Sequence, residues 1–399
     1  MTTRRSVLTT GATLTLLAPF ARLAAAVPHP DARFVLVILR GGLDGLAAVP
    51  PYAEPQYAAL RGPLALARPG AESGALDLDG TFGLHPALEN LHAAYRAGQA
   101  LVLHATASPY RERSHFDAQN VLEGGGTAPN AAAGGWLNRA LGTLASDAPP
   151  AVALADTVPL VLRGELAVTS WAPSRLPESD DDTLARVRRL YEAADPALAA
   201  SLNAALAARE IAGDAGDAGD ANLGRERGGQ AVAPLASAAA RFLASANGPR
   251  VAVLDVGGWD THANQGGAQG ALALRLRALD TGLQMLQSEL GAHWQSTSVL
   301  VVTEFGRTVA ANGTRGTDHG TAGCAFLLGG AVAGGRVLGR WPGLAARDLH
   351  EGRDLRATTD LRALLKGVLH ERFGVSEGAL ARTVFPSSDA IEPLDGISA

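Results

Sequence analysis

Six short apolar runs constrain this chain more than any other feature. They are Phe34 to Leu39, Ala100 to His104, Ala151 to Leu154, Val251 to Val256, Ser298 to Thr303 and Cys324 to Leu328. Apart from Asp255 and a few terminal residues, each is apolar throughout instead of alternating. A strand covered on both faces reads this way, because neither row of side chains meets water. Between the runs lie amphipathic stretches with helical spacing. Leu84 to Ala97 carries Pro86 near its first turn, and Leu272 to His293 is the longest. Strands alternating with helices predict a layered α/β fold around a mostly parallel sheet.

The first 26 residues predict a targeting segment. Arg4-Arg5 precede an apolar run from Val7 to Phe20, and Leu23-Ala24-Ala25-Ala26 supplies a small-residue cleavage site. The run is shorter than the roughly 20 residues that cross a bilayer as a helix. A general-secretory leader is the alternative; the paired arginines, Arg22 and the mild hydrophobicity favour the twin-arginine route. That makes the twin-arginine translocase a transient partner and the periplasm the expected location.

Residues 27–399 then form a single α/β domain, with no further segment suited to membrane insertion. The whole chain carries a net charge of −5. Losing a leader with three arginines and no acid moves this to about −8, which argues against a nucleic-acid partner. The lone Cys324 excludes an internal disulfide and sits in an apolar run, as a small buried residue would. Residues 213–229 repeat Gly-Asp-Ala and predict a flexible surface excursion between two Ala-rich helices, Val187 to Ala212 and Ala231 to Ala246. The polar tail beyond Pro386 is expected to be loosely held.

Ligands bind beyond the carboxyl ends of parallel strands, so the residues that follow each run carry the functional reading. After the first run come Arg40-Gly41-Gly42-Leu43-Asp44, where Asp44 stands at a strand tip or caps a short helix. After Val256, Asp260 and His262 are two apart. On extended backbone both face one way and can share a cation; the alternative is a polar loop. Glu304 follows an apolar strand directly, where an acid needs a cation or a partner such as Arg307. Asp318 and His319 are adjacent, so one can bind a metal while the other orients it. After His104, Ser114 precedes a helical stretch with Asp117 three residues on. That pattern is a capping box, or a hydroxyl nucleophile at a helix N-terminus, with Arg111 and Arg113 adding anion-binding charge. Oxygen and imidazole donors without thiolates suit zinc, manganese or another divalent ion.

Five motifs then resemble one family. Arg40-Gly41-Gly42-x-Asp44-Gly45-Leu46, Ser114-His115-Phe116-x-Ala118-Gln119, Gly257-Gly258-Trp259-Asp260-Thr261-His262, Glu304-Phe305-Gly306-Arg307 and Thr317-Asp318-His319-Gly320 are similar to those of the domain-of-unknown-function 1501 proteins. These are exported bacterial proteins of the alkaline phosphatase and sulfatase clan. The resemblance implies a doubly wound, alkaline phosphatase-like sheet with helices on both faces and metal ligands at the strand tips. By analogy Asp44, Asp260, His262, Glu304 and His319 resemble metal ligands and Ser114 falls at the nucleophile's place. The convergence of acids and imidazoles at strand ends adds Asp318 to the set around one or two divalent ions, Arg40 and Arg111 as cations facing a small anionic ester, and His115 as general acid or further ligand. The chain departs from the clan in spacing Asp260 and His262 by one residue, in carrying Glu304 for an Asp, and in Leu43. The implied activity is hydrolysis of phosphate or sulfate esters. The alternative is a metal-stabilised binding or assembly module on the same fold.

Overall fold

The computed structural model describes residues 31–144, 151–173, 179–213 and 232–399. The expected leader, and all of the expected excursion except Gly213, lie outside the described residues.

Eleven strands occur among the described residues: β1 (Arg33–Leu39), β2 (Leu76–Asp77), β3 (Gly83–Leu84), β4 (Ala100–Ala107), β5 (Ala151–Leu154), β6 (Thr169–Trp171), β7 (Val251–Val256), β8 (Thr297–Thr303), β9 (Gly323–Leu328), β10 (Arg336–Leu338) and β11 (Thr359–Asp360). Nine build one sheet in the order β10-β4-β9-β8-β1-β7-β5-β6, with β11 also on β4, while β2 and β3 form a small hairpin. The helices are α1 (Gly45–Ala48), α2 (Tyr57–Arg61), α3 (Glu89–Arg96), α4 (His115–Gly124), α5 (Trp136–Gly142), α6 (Asp181–Ala194), α7 (Pro196–Ala212), α8 (Val232–Ala244), α9 (Ala271–Leu290), α10 (Leu361–Phe373) and α11 (Glu377–Ala379).

β1 shows why the apolar runs are continuous. Val35, Val37 and Leu39 enter a core completed by α3, α8 and α9. Phe34, Leu36 and Ile38 enter the opposite core, completed by α5 and α10. Each face is therefore covered, and each such aliphatic side chain contributes roughly 1.5–3 kcal/mol by leaving water. α3 begins five residues later than its periodicity predicts, because Gly83–Leu84 pair with Leu76–Asp77. Its N-terminus is capped from a distance: the buried Asp280 of α9 accepts from the Asn90 and Leu91 amides at 3.0 and 2.9 Å.

One expected parallel strand runs the other way. β9 is antiparallel to both β4 and β8, whereas every other neighbour in the large sheet is parallel. No helix lies between β8 and β9, so the chain never crosses a face to re-enter from the opposite edge. The carboxyl ends of β1, β4, β7 and β8 and the amino end of β9 therefore share one edge.

The tail also differs from expectation. Lys366 Nζ donates to the Ser388 and Ile391 carbonyls, each at 2.7 Å, and Glu371 accepts from the Ser398 amide at 2.7 Å. Ile397 is buried. The tail is held mainly through its backbone, which its polar side chains do not advertise. Among the described residues no helix is long and apolar enough to cross a membrane.

Candidate metal centre

The shared edge is compact because glycines let its loops touch. Gly41 has φ +121°, and a Cβ there would stand 2.5 Å from the Asp260 amide nitrogen. The Arg40 carbonyl accepts from the Trp259 amide at 3.1 Å, joining the tips of β1 and β7. Asp260 thus lies directly against the turn that ends β1.

Three imidazoles meet there, each held by one ring nitrogen. His115, the first residue of α4, has Nδ1 at 2.7 Å from Glu304 Oε1. His319 has Nδ1 at 3.0 Å from the Arg113 carbonyl. A carbonyl can only accept, so that nitrogen carries the proton and Nε2 keeps its lone pair. His262 has Nδ1 at 3.3 Å from Asp318 Oδ1. In all three rings Nε2 faces inward. His262 Nε2 is 2.9 Å from His319 Nε2 and 3.0 Å from Asp260 Oδ1. His319 Nε2 is 3.3 Å from the same carboxylate oxygen, and His115 Nε2 is 3.5 Å from Asp260 Oδ2. The ligand atoms of His115, Asp260 and His319 all lie within 4.8 Å of one another.

Electrostatics hold the Asp260 and Glu304 carboxylates ionised. Burial pushes the Asp260 carboxyl up, but the hydrogen-bonded Arg307 guanidinium and the nearby His262 and His115 bring it below the usual carboxylate range. Arg307 is fully buried and donates to Asp260 Oδ1 at 2.6 Å. Burial, followed by the charge of His115, lowers His319. The Glu304 bond raises His115 against its own burial. Glu304 itself is held below its ordinary value: burial opposes ionisation, but His115, Gln119 and the Gly41 amide outweigh it.

Two observations fit a divalent ion at this point. His115 Nε2 is a buried atom without a hydrogen-bond partner. Facing imidazole nitrogens at 2.9 Å repel unless a proton or metal lies between them. The triad of His115, Asp260 and His319, with the His262 ring beside it and each ring oriented from behind by an acceptor, offers donors of the kind that zinc or manganese takes.

Other predicted residues stand elsewhere. Glu304 lies behind His115 instead of beside it; Oε1 also accepts from the Gly41 amide at 2.8 Å and Gln119 at 3.1 Å. Asp318 likewise lies behind His262. Asp44 caps α1, accepting from the Leu46 and Ala47 amides at 3.1 Å each. Its other oxygen takes the buried Arg61 and Gln265 Nε2, the latter at 2.7 Å. Arg40 is clamped between Asp255 at 2.8 Å and Glu123 at 2.6 Å. Arg111 donates to the carbonyls of Ser108 and Tyr110 on its own loop. Ser114 is the N-cap residue of α4, yet its hydroxyl makes no cap bond. Asp117 instead takes the Tyr110 hydroxyl at 3.3 Å, so the capping box does not form. Arg307 pairs with Asp260, not with Glu304. The Arg113 carbonyl was missed, because backbone acceptors leave no mark in residue type; Gln119 stood in a motif without a role, though it shares a helix face with His115 at i, i+4.

The molecule is thus a mixed α/β protein whose large, mostly parallel sheet carries an imidazole–carboxylate cluster on one edge. It belongs to the family described as "Protein of unknown function (DUF1501)", whose model matches residues 31–385. Among curated proteins no relative matches. Among solved structures, the phosphonate monoester hydrolase of Agrobacterium radiobacter is similar at 13% identity and a TM-score of 0.34, over 84% of this chain and 73% of that chain.

Proposed function

We propose that this protein is an exported, metal-dependent hydrolase of phosphate or sulfate esters. The carrying observation is the convergence of three imidazole Nε2 atoms and the Asp260 carboxylate, with each ring's second nitrogen already engaged. His115, Asp260 and His319 supply donors for one cation, with the His262 ring beside them; Asp44 and Glu304 are committed to buried hydrogen bonds. His115 is then a ligand and not a general acid. A bound divalent ion supplies Lewis acidity toward an ester oxygen and toward water.

The chain's own residues do the rest. Glu304, Asp318 and the Arg113 carbonyl orient the rings, and Arg307 keeps Asp260 ionised. Ser114, preceding His115 at the N-terminus of α4, offers its hydroxyl where helix amides favour an anion. Ser114 Oγ forms the bond to phosphorus or sulfur as the ester alkoxide leaves with a proton. Water then displaces the serine and restores it. Export by the twin-arginine route to the periplasm, and descent from the alkaline phosphatase and sulfatase clan, complete the reading on the strength of the leader and the five motifs.

The test is metal analysis of the purified protein, followed by a panel of aryl phosphates and sulfates. Stoichiometric metal with turnover, abolished in Asp260→Ala, is the expected result. Full occupancy without turnover on the whole panel rejects the hydrolase. One observation favours a second reading, a non-catalytic metal-stabilised binding or assembly module: Arg40 and Arg111 are held by internal partners. In that case chelation lowers the melting temperature while Ser114→Ala leaves every phenotype intact.

A further inference from the structure

Arg113 has φ +65°, a left-handed conformation that a non-glycine residue adopts only when its surroundings hold it there. Its Nε donates to Asp354 Oδ2 at 2.8 Å, and its guanidinium also pairs with Glu351. Asp354 is completely buried. Its other oxygen has no hydrogen-bond partner and only an ionic approach, 3.4 Å, from Arg353 Nε; Arg353 donates separately to the His319 carbonyl.

The consequences run in two directions along the chain. The carbonyl of Arg113 is the acceptor that fixes the protonated nitrogen of His319. Two residues on, His115 opens α4 and meets Glu304. The loop holding Asp354 is itself fastened to the site, since Thr308 and Asp354 form a bridge and the Val309 amide donates to the Arg353 carbonyl at 3.3 Å. Thr308 follows Arg307, the cation beneath Asp260.

We propose that Asp354 is a positioning residue for the centre: by clasping Arg113 in its left-handed conformation it sets the tautomer of His319 and the start of the helix that carries His115. This rests on reading the cluster as a metal site. The Arg113 carbonyl is an outer partner of the kind whose loss typically weakens metal binding by roughly 10- to 100-fold, and Asp354 acts by holding that carbonyl in place. Asp354 differs from a merely structural buried acid in that its effect must reach ring nitrogens it does not touch.

The experiment uses the full-length protein, with Asp354→Asn, Arg113→Gln and Arg113→Lys. Zinc affinity is measured by competition with a chromophoric chelator. The His319 tautomer is read by nitrogen NMR on metal-free protein. Asp354→Asn and Arg113→Gln should each weaken zinc by about 10-fold or more and shift His319 away from the Nδ1–H form. Arg113→Lys, which keeps a charge for Asp354, should recover part of both. Zinc affinity and tautomer both unchanged in folded Asp354→Asn would overturn the proposal. If that variant does not fold, an unchanged tautomer in the more exposed Arg113→Gln overturns it equally. If the parent protein binds no zinc, manganese or other divalent ion, the metal reading falls. A tautomer that moves in Asp354→Asn then still establishes the clasp.

Discussion

Two carboxylates hold imidazoles of the centre in opposite surroundings. The Glu304 side chain is 0% exposed and meets His115 at 2.7 Å; that of Asp318 is 55% exposed and meets His262 at 3.3 Å. Glu304 collects further donors from Gly41 and Gln119, and Thr303 donates to its second oxygen at 3.0 Å. Asp318 Oδ1 has Asn312, at 3.0 Å, as its other donor. The chemistry of the two pairs is the same, but water competes for only one of them. A buried hydrogen-bonded charge is strong while complete and costly once a partner is lost. An exposed pair is screened and contributes little. The inner ring is therefore rigidly held, while the outer ring can adjust when something binds beside it.

The sharpest way to break this comparison is to remove the buried acid. Glu304→Ala leaves the His115 Nδ1–H, the Gly41 amide and Gln119 without their acceptor. We expect a loss of about 3 kcal/mol of stability in urea unfolding. Zinc affinity should also drop by roughly 10- to 100-fold. Losses no larger than those of an Asp318 variant would show that burial does not separate the two pairs.

An imidazole outside the centre, His104, sharpens the contrast because it is buried without a carboxylate. Its Nε2 donates to the Val49 carbonyl at 3.0 Å and its Nδ1 accepts from the Ala105 amide at 2.8 Å. Both bonds require the neutral ring. Burial pushes its pKa down from 6.5 to about 4, partly offset by the Val49 bond. Below 6.5 the unfolded chain gains a proton that the native state refuses. Stability is therefore full at neutral pH and is lost as pH falls from about 6.5 to about 4. The total is about 3 kcal/mol from the size of the shift. Urea unfolding at pH 7 and pH 4.5 should show a smaller acid loss in His104→Gln than in the parent protein. Equal losses would mean that His104 does not govern this slope.

These three sites also show what residue order discloses. The six apolar runs marked six core strands, because a strand hidden on both faces has no polar row. They could not give direction: β9 reads like its neighbours, and only the lack of a crossover helix between β8 and β9 turns it around. Asp260 and His262 were legible as a pair because i and i+2 on extended backbone share a side. His115 was legible as a general acid or a further ligand and stands among the donors, while Glu304, read as a ligand, lies behind it, since which of two contacting groups faces a cavity depends on packing depth. Asp44 was legible as a helix cap from its place after a glycine turn; only the family resemblance made it a ligand, and the structure shows the cap. The clasp of Asp354 on Arg113 joins residues 241 apart. It acts through a carbonyl, so no local pattern could announce it.

The smallest effect belongs to the exposed pair. Asp318→Asn keeps an oxygen within reach of His262 and Asn312 and removes only a charge that water already screens. Stability should change by no more than about 0.5 kcal/mol. Zinc affinity should fall by less than the Glu304→Ala value, and the difference should shrink between low salt and 1 M salt, where the screening length drops to about 3 Å. A salt-independent loss as large as that of Glu304→Ala would instead mean that Asp318 closes over His262 when the ion binds. The outer ring would then be as firmly built as the inner one, and the contrast between the two carboxylates would vanish.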